Sequence, residues 1–354
     1  MKTNKMKFLK TAVYILMTVS LINFSAHAQE EEQEEESKEE KAKFSINGTF
    51  DAYFRANING SNDPNGGTTI APSTAFANSP GFSLGMVNVV GAFEKGKVGA
   101  VLDLVVGPRG QQAVFLSTTN SNLINQAYVY YKATDRLTFT LGNFNTFLGY
   151  EVISPAGNFN YSTSYMFSYG PFSHAGIKVD YDLGGGFSVM GGFFNPTDAT
   201  EFNLDGTFVG GAQVGYSNDK SSIYLNALFE DDFYQFDVTA GTNLTEAIYL
   251  GLNATTAKNS FEGVAGYFQV STSDALALGV RAEYFKDKGV GAIETGQNVV
   301  DFTLTANYKI EGLTIIPEFR LDRLSYDGFV TDKDNPTQMA RDLSSIVIAA
   351  VYAF

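Results

Sequence analysis

Charged side chains in this sequence recur at alternate positions inside otherwise apolar segments. In residues 44–58, Phe50 and Phe54 belong to an apolar set, and the polar set between them includes Asp51 and Arg55. Successive side chains of a β-strand point to opposite faces, so such a strand has one apolar face and one charged face. The chemistry open to the charged face is the binding of water, ions and polar solutes. The pattern therefore predicts strands that separate an apolar solvent from water.

The charged positions of these strands carry both signs in nearly equal number. An Arg or Lys that faces lipid at the bilayer midplane costs about 2–4 kcal/mol, so regular placement opposite the apolar face predicts a wet interior. For any one of these charged residues, the simpler interpretation is that it is paired or solvated. The alternative is that it contributes to ion selectivity. The residues predicted to line the interior are Asp51, Arg55, Asp103, Lys132, Lys178, Asp180, Arg281, Glu283, Asp301, Lys309, Glu318 and Arg320.

Catalytic and metal-binding chemistry has few candidates. The sequence contains no Cys and two His, of which His27 lies in a predicted leader. A His or Cys metal cluster cannot be assembled from the remaining His174, and a Ser–His dyad could use only that residue. No nucleophile motif is aimed at His174, which we interpret as a hydrogen-bonded structural residue. The sequence therefore predicts no enzyme activity, no cofactor and no metal site.

The N-terminal residues predict export. Positive residues from Lys2 to Lys10 precede the apolar residues 11–24, and the small residues Ala26 and Ala28 follow. This order predicts a signal peptide over residues 1–28, cleaved after Ala28. An uncleaved anchor is the alternative, but the apolar core is short for a span of about 20 residues.

Residues 29–43 are predicted to form an acidic, disordered tail on the periplasmic side. Eight Glu and two Lys lie between residues 30 and 41, and this stretch has no apolar face. The whole chain has a formal net charge of −14, which argues against a nucleic-acid partner.

Residues 44–354 are predicted to form one all-β domain, a transmembrane antiparallel up-and-down β-barrel of about 16 strands. No further apolar run is long enough for a membrane-spanning helix, and charged residues make up 18% of the chain where about 25% is usual in soluble domains. Fourteen strands is the alternative, because the weakest strand signals lie between residues 222 and 243. The predicted strands are 44–58, 82–94, 97–107, 123–132, 137–147, 174–181, 187–195, 207–217, 222–229, 233–243, 247–258, 261–271, 276–285, 298–310, 313–323 and 344–354.

The predicted connections sort by length. Every connection from an even to an odd strand is short, and all the long connections run from an odd to an even strand. Outer-membrane barrels place short turns on the periplasmic side and longer loops outside. Two outer connections are short, at residues 230–232 and near Asn259.

The last residues, SSIVIAAVYAF, alternate between an apolar face and a small-residue face and end on Phe354. This segment resembles the closing strand of a bacterial outer-membrane barrel, whose end is the signal for the assembly machinery. The resemblance implies location in the cell outer membrane, contact with its lipid and the assembly machinery as a partner.

Trp is absent, so Tyr is expected in the aromatic girdles. The candidates are Tyr53, Tyr131, Tyr181, Tyr216, Tyr284, Tyr308 and Tyr352.

The middle of the chain carries a more specific resemblance. Its pieces are Gly-Tyr-Glu at residues 149–151, Asn-Tyr-Ser at residues 160–162, and Pro171 followed by His174-x-Gly176. Residues 142–198 resemble the signature region of the OmpL-like family of β-barrel porins, also called porin-2. The resemblance implies an outer-membrane pore, without a known substrate. The acidic tail is a departure from the family pattern.

Residues 148–173 are the longest predicted outer loop and are rich in Tyr, Phe, Asn and Ser. In some porins a long loop folds into the lumen and narrows it. We hypothesise that this loop forms the constriction, and the alternative is a lid packed on neighbouring loops. The candidate constriction residues are Glu151, Asn158, Asn160, Tyr161 and Tyr165.

These features favour an outer-membrane porin that gives passive diffusion of small polar solutes or ions. An acidic mouth favours cations weakly by raising their local concentration. The alternative is a non-conducting structural or adhesive barrel, and strand number discriminates, since a small barrel fills its interior with side chains. The small lipid-facing residues Ala52 and Ala56 are compatible with a homo-trimer. The acidic residues of the outer loops are Asp63, Asp205, Asp231, Asp232, Asp327, Asp332 and Asp334.

Overall fold

The computed structural model describes residues 41–63, 77–118, 121–203, 206–332, 334–335 and 337–354. The predicted signal peptide and residues 29–40 of the predicted tail lie outside the described residues. Within these described ranges, no helix is long and apolar enough to cross a membrane.

Eighteen strands run through the described chain. Their bounds follow the period-2 pattern of the sequence to within a few residues at most positions. The strands are β1 (Lys43–Asn57), β2 (Gly81–Lys95), β3 (Val98–Val106), β4 (Ile124–Lys132), β5 (Leu137–Asn145), β6 (Ser173–Gly184), β7 (Phe187–Phe194), β8 (Val209–Ser217), β9 (Ser221–Glu230), β10 (Phe233–Asn243), β11 (Ile248–Ala257), β12 (Phe261–Ser271), β13 (Leu276–Asp287), β14 (Asn298–Ile310), β15 (Leu313–Leu324), β16 (Phe329–Val330), β17 (Met339–Ala340) and β18 (Asp342–Ala353).

Sixteen of these strands close into one antiparallel barrel. Each strand pairs with its neighbours in the chain, and β18 closes the ring by pairing with both β15 and β1. The closing register runs from Thr49 opposite Ala353 to Asn57 opposite Ser345. Closure removes both free edges, so the ladder leaves no row of unpaired backbone groups toward an apolar solvent. The prediction of sixteen strands is confirmed, and the alternative of fourteen is wrong.

The two ends of the barrel differ in their connections. At the end that we call the turn end, short turns join β2 to β3, β4 to β5, and each later even strand to the next odd strand as far as β15. The opposite end, called the loop end, carries the long connections, including residues 146–172 between β5 and β6. Its short connections, β9 to β10 and β11 to β12, lie where the sequence predicted them.

The long connections contain short elements that the period-2 pattern did not predict. Helix α1 (Pro108–Ala113) follows β3, and helix α2 (Tyr165–Tyr169) precedes β6. A 3₁₀ turn spans Pro155–Gly157, and β16 and β17 form a small hairpin between β15 and β18. Ser164 caps α2, because its Oγ accepts a hydrogen bond from Phe167 N at 3.1 Å.

The outward face of the barrel is apolar along the strands. Leu252, Leu304 and Ile348 are 41%, 47% and 52% exposed and alternate with buried inward residues. Tyr131, Tyr308 and the other predicted girdle residues lie on strands, but the prediction for Tyr53 is wrong. Tyr53 is buried, and its ring centroid lies 5.5 Å from that of Tyr161 inside the barrel. Its parity with Asp51 and Arg55 places it on the inward face.

Substitution of Leu304 by Arg tests the apolar outward face. Leu304 lies in the middle of β14, where an outward Arg would contact hydrocarbon. We expect Leu304→Arg to lower the free energy of unfolding in lipid bilayers by about 2–4 kcal/mol relative to Leu304→Ala, measured by urea titration. Equal stability of the two variants would contradict an apolar surrounding at this position.

Candidate functional site

The connection between β5 and β6, residues 146–172, lies inside the barrel. We call it the β5–β6 loop. Its contacts reach strands far away in the sequence: Tyr161 donates its hydroxyl hydrogen bond to Asp51 of β1, and Asn160 Nδ2 donates to Thr305 Oγ1 of β14 at 2.7 Å. The loop therefore packs against the inward face of the wall rather than extending away from the barrel.

Two wall carboxylates hold the backbone amides of this loop. Glu318 accepts hydrogen bonds from Tyr161 N at 2.8 Å and Ser162 N at 3.1 Å. Glu283 accepts from Tyr165 N and Met166 N, both at 2.8 Å. Buried backbone N–H groups need partners, and bonds to an ionised acceptor are the strong ones. The two carboxylates thus satisfy four N–H groups of a segment that lies outside any sheet.

Arginines satisfy the carbonyl groups of the same segment. Arg281 donates from Nη1 to Ser162 O at 2.7 Å, and Arg320 donates from Nη1 to Thr163 O at 2.7 Å. Arg109 of α1 donates from Nε to Ile153 O at 2.9 Å. Wall acids therefore bind loop donors, and arginines bind loop acceptors.

Arg281 and Arg320 also belong to a buried ion network. Arg281 lies 2.7 Å from Glu151 of the loop and 3.0 Å from Asp301, measured between nearest charged atoms. Arg320 lies 2.8 Å from both Asp301 and Asp322. All five side chains are at most 3% exposed. Removal of one member leaves an uncompensated buried charge, which typically costs about 3–5 kcal/mol.

Glycines in the wall allow bulky loop residues to approach. A Cβ added at Gly279 would lie 2.3 Å from the Phe159 ring, and one at Gly85 would lie 1.7 Å from Asp51 Oδ2 and 2.8 Å from Tyr161 Oη. Tyr161 is fully buried. Burial, with the charge of Asp51 beside it, raises the pKa of Tyr161, so its phenol keeps the proton that it donates.

The structure divides the twelve predicted lining residues into two groups. The larger group points inward but is at most 4% exposed, and comprises Asp51, Arg55, Asp103, Arg281, Glu283, Asp301, Glu318 and Arg320. The other four residues, Lys132, Lys178, Asp180 and Lys309, reach solvent. Lys132 pairs with Glu94 at 2.6 Å, and Lys178 pairs with Asp180 at 2.8 Å. Contact of these residues with a passing solute stays a prediction.

The five candidate constriction residues all belong to the β5–β6 loop. Glu151, Asn160, Tyr161 and Tyr165 are buried against the wall or its ion network. Asn158 is half-buried and holds the loop itself, because its side-chain amide exchanges hydrogen bonds with the backbone N–H and C=O of Val152 at 2.9 and 2.6 Å. The loop lies in the lumen as hypothesised, and its control over passage stays a prediction.

Sequence reasoning missed three residues of this arrangement. Asp322 shares the inward parity of Glu318 and Arg320, so the alternation could have found it. Arg109 lies in α1, where no strand pattern operates. Asp198 follows β7, and its Oδ1 accepts hydrogen bonds from Phe172 N and Ser173 N, both at 2.8 Å. It therefore fixes the C-terminal end of the β5–β6 loop.

His174, the candidate for a dyad, is fully buried. Its Nε2 lies 2.9 Å from Thr146 Oγ1, and its ring stacks on Phe194 with centroids 5.0 Å apart. These contacts fit the interpretation of a structural histidine.

Wall residues near the loop end of the lumen are buried. Each barrel strand has, near this end, at least one inward residue that is at most 8% exposed. These residues, in strand order, are Arg55, Met86, Val105, Asn125, Asn143, His174, Phe194, Val209, Leu228, Gln235, Ala257, Phe261, Phe285, Val299, Leu324 and Leu343.

The turn end of the lumen is hollow. A cavity of about 750 Å³ lies beneath the β5–β6 loop and is lined by residues that include Tyr150, Phe159, Gln269 and Lys309. A second cavity of about 460 Å³ shares Tyr150 and Tyr249 with the first. The hydroxyl oxygens of these two tyrosines lie 3.0 Å apart.

A sequence-family comparison agrees with this architecture. The family described as "Putative beta-barrel porin-2, OmpL-like" matches residues 43–354. The chain belongs to this family. No curated protein has a sequence that matches this chain significantly.

Solved structures with the same fold are outer-membrane barrels of low sequence identity. An anion-selective porin from Comamonas acidovorans superposes with a TM-score of 0.56 at 11% identity, covering 89% of this chain and 100% of that one. OmpT of Vibrio cholerae in its trimer form gives 0.54 at 12% identity, covering 88% and 99%. A mutant of the Rh. blastica porin gives 0.52 at 15% identity, covering 89% and 100%. At such identities the likeness establishes the fold of this porin-2 member and nothing finer.

Asp198 is expected to make stability depend on pH. Desolvation raises its pKa from 3.8 to about 7, so the folded state holds this proton more tightly than the unfolded state does. The free energy of unfolding should therefore fall as pH rises from about 4 to about 7. Asp198 has a φ of 64°, which Asn tolerates. We expect Asp198→Asn to match the parent at pH 4 and to exceed it by about 1–3 kcal/mol at pH 8, in urea titrations of the refolded barrel. A difference that does not change with pH would contradict the assignment.

Proposed function

We propose that this porin-2 member is a passive diffusion channel for small polar solutes and ions in the cell outer membrane. The observation that carries the proposal is a closed sixteen-stranded barrel whose inward face is charged and whose turn end is hollow. Barrels of this strand number leave a lumen that wall side chains alone do not fill. In this proposal the protein catalyses no reaction and uses no cofactor or metal, and His174 has a structural role.

The β5–β6 loop is the proposed constriction. It lies between the buried loop end and the hollow turn end, and its backbone is fixed by Glu283, Glu318 and the wall arginines. Solutes that cross the barrel must pass this loop or displace part of it. On this proposal Lys132, Lys178, Asp180 and Lys309 contact the passing solute, whereas the buried charges position the loop.

The proposed selectivity is a weak preference for cations. Part of the acidic mouth is neutralised, because Asp232 lies 2.7 Å from Lys258 Nζ and Asp327 lies 3.3 Å from Arg341 Nε. Asp205 lies outside the described residues. The negative charge of the chain supports the preference, and the local pairs make it weak.

The proposed location brings two further partners besides lipid. The C-terminal strand β18 presents Ile346, Ile348 and Tyr352 outward and is followed by the exposed Phe354, which fits recognition by the barrel-assembly machinery. Export is by the predicted signal peptide. A homo-trimer is proposed on the analogy of the trimer form of OmpT from Vibrio cholerae.

A non-conducting structural or adhesive barrel is the second candidate. The observation that favours it is the buried inward residue near the loop end of every barrel strand. The two candidates differ in whether ions cross the barrel at all.

Deletion of residues 158–168 tests the constriction. The deletion removes Tyr161 and Tyr165 and the amides that Glu283 and Glu318 hold, so the lumen should widen. We expect single-channel conductance in planar bilayers to rise at least about twofold over the parent, because resistance is concentrated where a channel is narrowest. Unchanged conductance would exclude the loop as the constriction, and no current through either protein would favour the non-conducting barrel.

Two point variants accompany the deletion. Tyr161→Ala replaces the deletion if the deletion variant does not fold. It empties a fully buried position of the loop, so it should raise the single-channel conductance or its fluctuations. Phe202→Ala, an exposed position in the connection between β7 and β8, is the matched control and should leave the current unchanged.

Reversal potentials test the ion preference. With a tenfold KCl gradient across the bilayer, the sign of the potential should correspond to a modest excess of K⁺ permeability, since acidic residues raise the local cation concentration. The effect should weaken at high salt because exposed charges are screened. A potential of the opposite sign would contradict the proposal.

A further inference from the structure

The larger cavity at the turn end has the size and composition of a ligand site. Its volume of about 750 Å³ lies within the range of about 300–1,000 Å³ typical of small-molecule pockets. The β5–β6 loop closes one side of the cavity, and strands β11 to β15 and β18 supply the wall. A solute that enters from the turn end would therefore meet the underside of the proposed constriction.

Fixed aromatic rings line this cavity. Tyr150 of the loop stacks on Tyr267 of β12 with ring centroids 4.1 Å apart, and its hydroxyl lies 3.0 Å from Tyr249 Oη. Phe159 also lines the cavity, and its backbone is fixed because its C=O accepts a hydrogen bond from Asn307 Nδ2 at 2.9 Å. Aromatic side chains offer large rigid apolar surfaces at a site that is otherwise wet.

The polar groups of the cavity are mainly uncharged. Gln269 and Asn307 have amide side chains, which can donate and accept hydrogen bonds. Lys309 and Glu311 carry opposite charges at the same rim, so the rim does not select either sign.

We propose that this cavity binds a neutral, cyclic, polyhydroxylated solute, of the class of mono- and disaccharides. The apolar C–H face of a pyranose ring would pack on the tyrosine cluster, and its hydroxyls would exchange hydrogen bonds with Gln269 and Asn307. The inference names a substrate class for the proposed channel and so rests on the proposed function. Charged solutes are disfavoured because the charges of Lys309 and Glu311 offset each other and Glu151 is already paired with Arg281.

Maltose binding to the full mature chain, refolded in detergent, tests the inference by isothermal titration calorimetry. Sorbitol, an open-chain polyol without a rigid ring, is the control solute. We expect maltose to bind and sorbitol to bind at least about tenfold more weakly, because sorbitol must be ordered on binding. Equal binding of the two, or no maltose binding, would overturn the inference.

Matched variants locate the site. Gln269→Leu should weaken maltose binding at least about fivefold, the effect of losing one or two hydrogen bonds. Thr138→Val, a similar polar-to-apolar change on the inward face of β5 outside the cavity, should leave it unchanged. Gln269→Glu serves as a second variant if Gln269→Leu fails to fold, and it should weaken binding through the desolvation of its charge. Maltose affinity unaltered by a folded Gln269 variant would overturn the assignment.

Single-channel conductance of the same preparations separates the two proposals. Conductance without maltose binding would overturn the saccharide site and leave the diffusion channel intact. Maltose binding without conductance would overturn the channel, and the cavity would then be a binding site in a closed barrel.

Discussion

The pairing of β1 with β18 is the contact on which the rest of the structure depends. In hydrocarbon, a backbone N–H or C=O without a partner costs several kcal/mol, so a sheet can span a membrane only when it has no edge. The register between residues 49–57 and 345–353 removes both edges at once. In the closed ring, one face of each strand meets lipid and the other faces the lumen. Because successive side chains point to opposite faces, apolar and polar residues alternate along the strand.

Closure with sixteen strands creates an interior wider than its wall side chains can fill, and the β5–β6 loop occupies part of it. The backbone N–H and C=O groups of an irregular segment inside the barrel also need hydrogen-bond partners, and this segment has no neighbouring strand to provide them. Side chains of the wall supply these partners. Glu283 and Glu318 accept hydrogen bonds from loop amides, and Arg281 and Arg320 donate hydrogen bonds to loop carbonyls. The charges of the wall therefore replace the sheet partners that the loop lacks.

Much of the fold follows from local patterns in the sequence. Strand positions, the parity of inward residues and the sorting of short and long connections all depend on neighbours a few positions apart, and these predictions agree with the structure. The short helices α1 and α2 were not predicted, because a helix of five or six residues is too short to show a repeating hydrophobic pattern. Tyr53 was misassigned because residue type was given more weight than its parity.

The site was harder to predict because its contacts are remote. Glu151 meets Arg281 across 130 positions, and Tyr161 meets Glu318 across 157. Alternation predicts that Arg281 and Glu318 point inward, yet it cannot tell whether water or a loop covers them. The difference matters, since a covered carboxylate can bind the loop backbone and an uncovered one faces solvent.

The division of the lumen follows from that difference. Beside the β5–β6 loop, the charged residues bind the loop backbone and each other, so their fields are largely compensated over a few ångströms. Near the turn end, Lys132, Lys178, Asp180 and Lys309 remain in contact with solvent. Two of these lysines already have carboxylate partners within 3 Å. The charges that remain open to solvent are therefore few and partly neutralised.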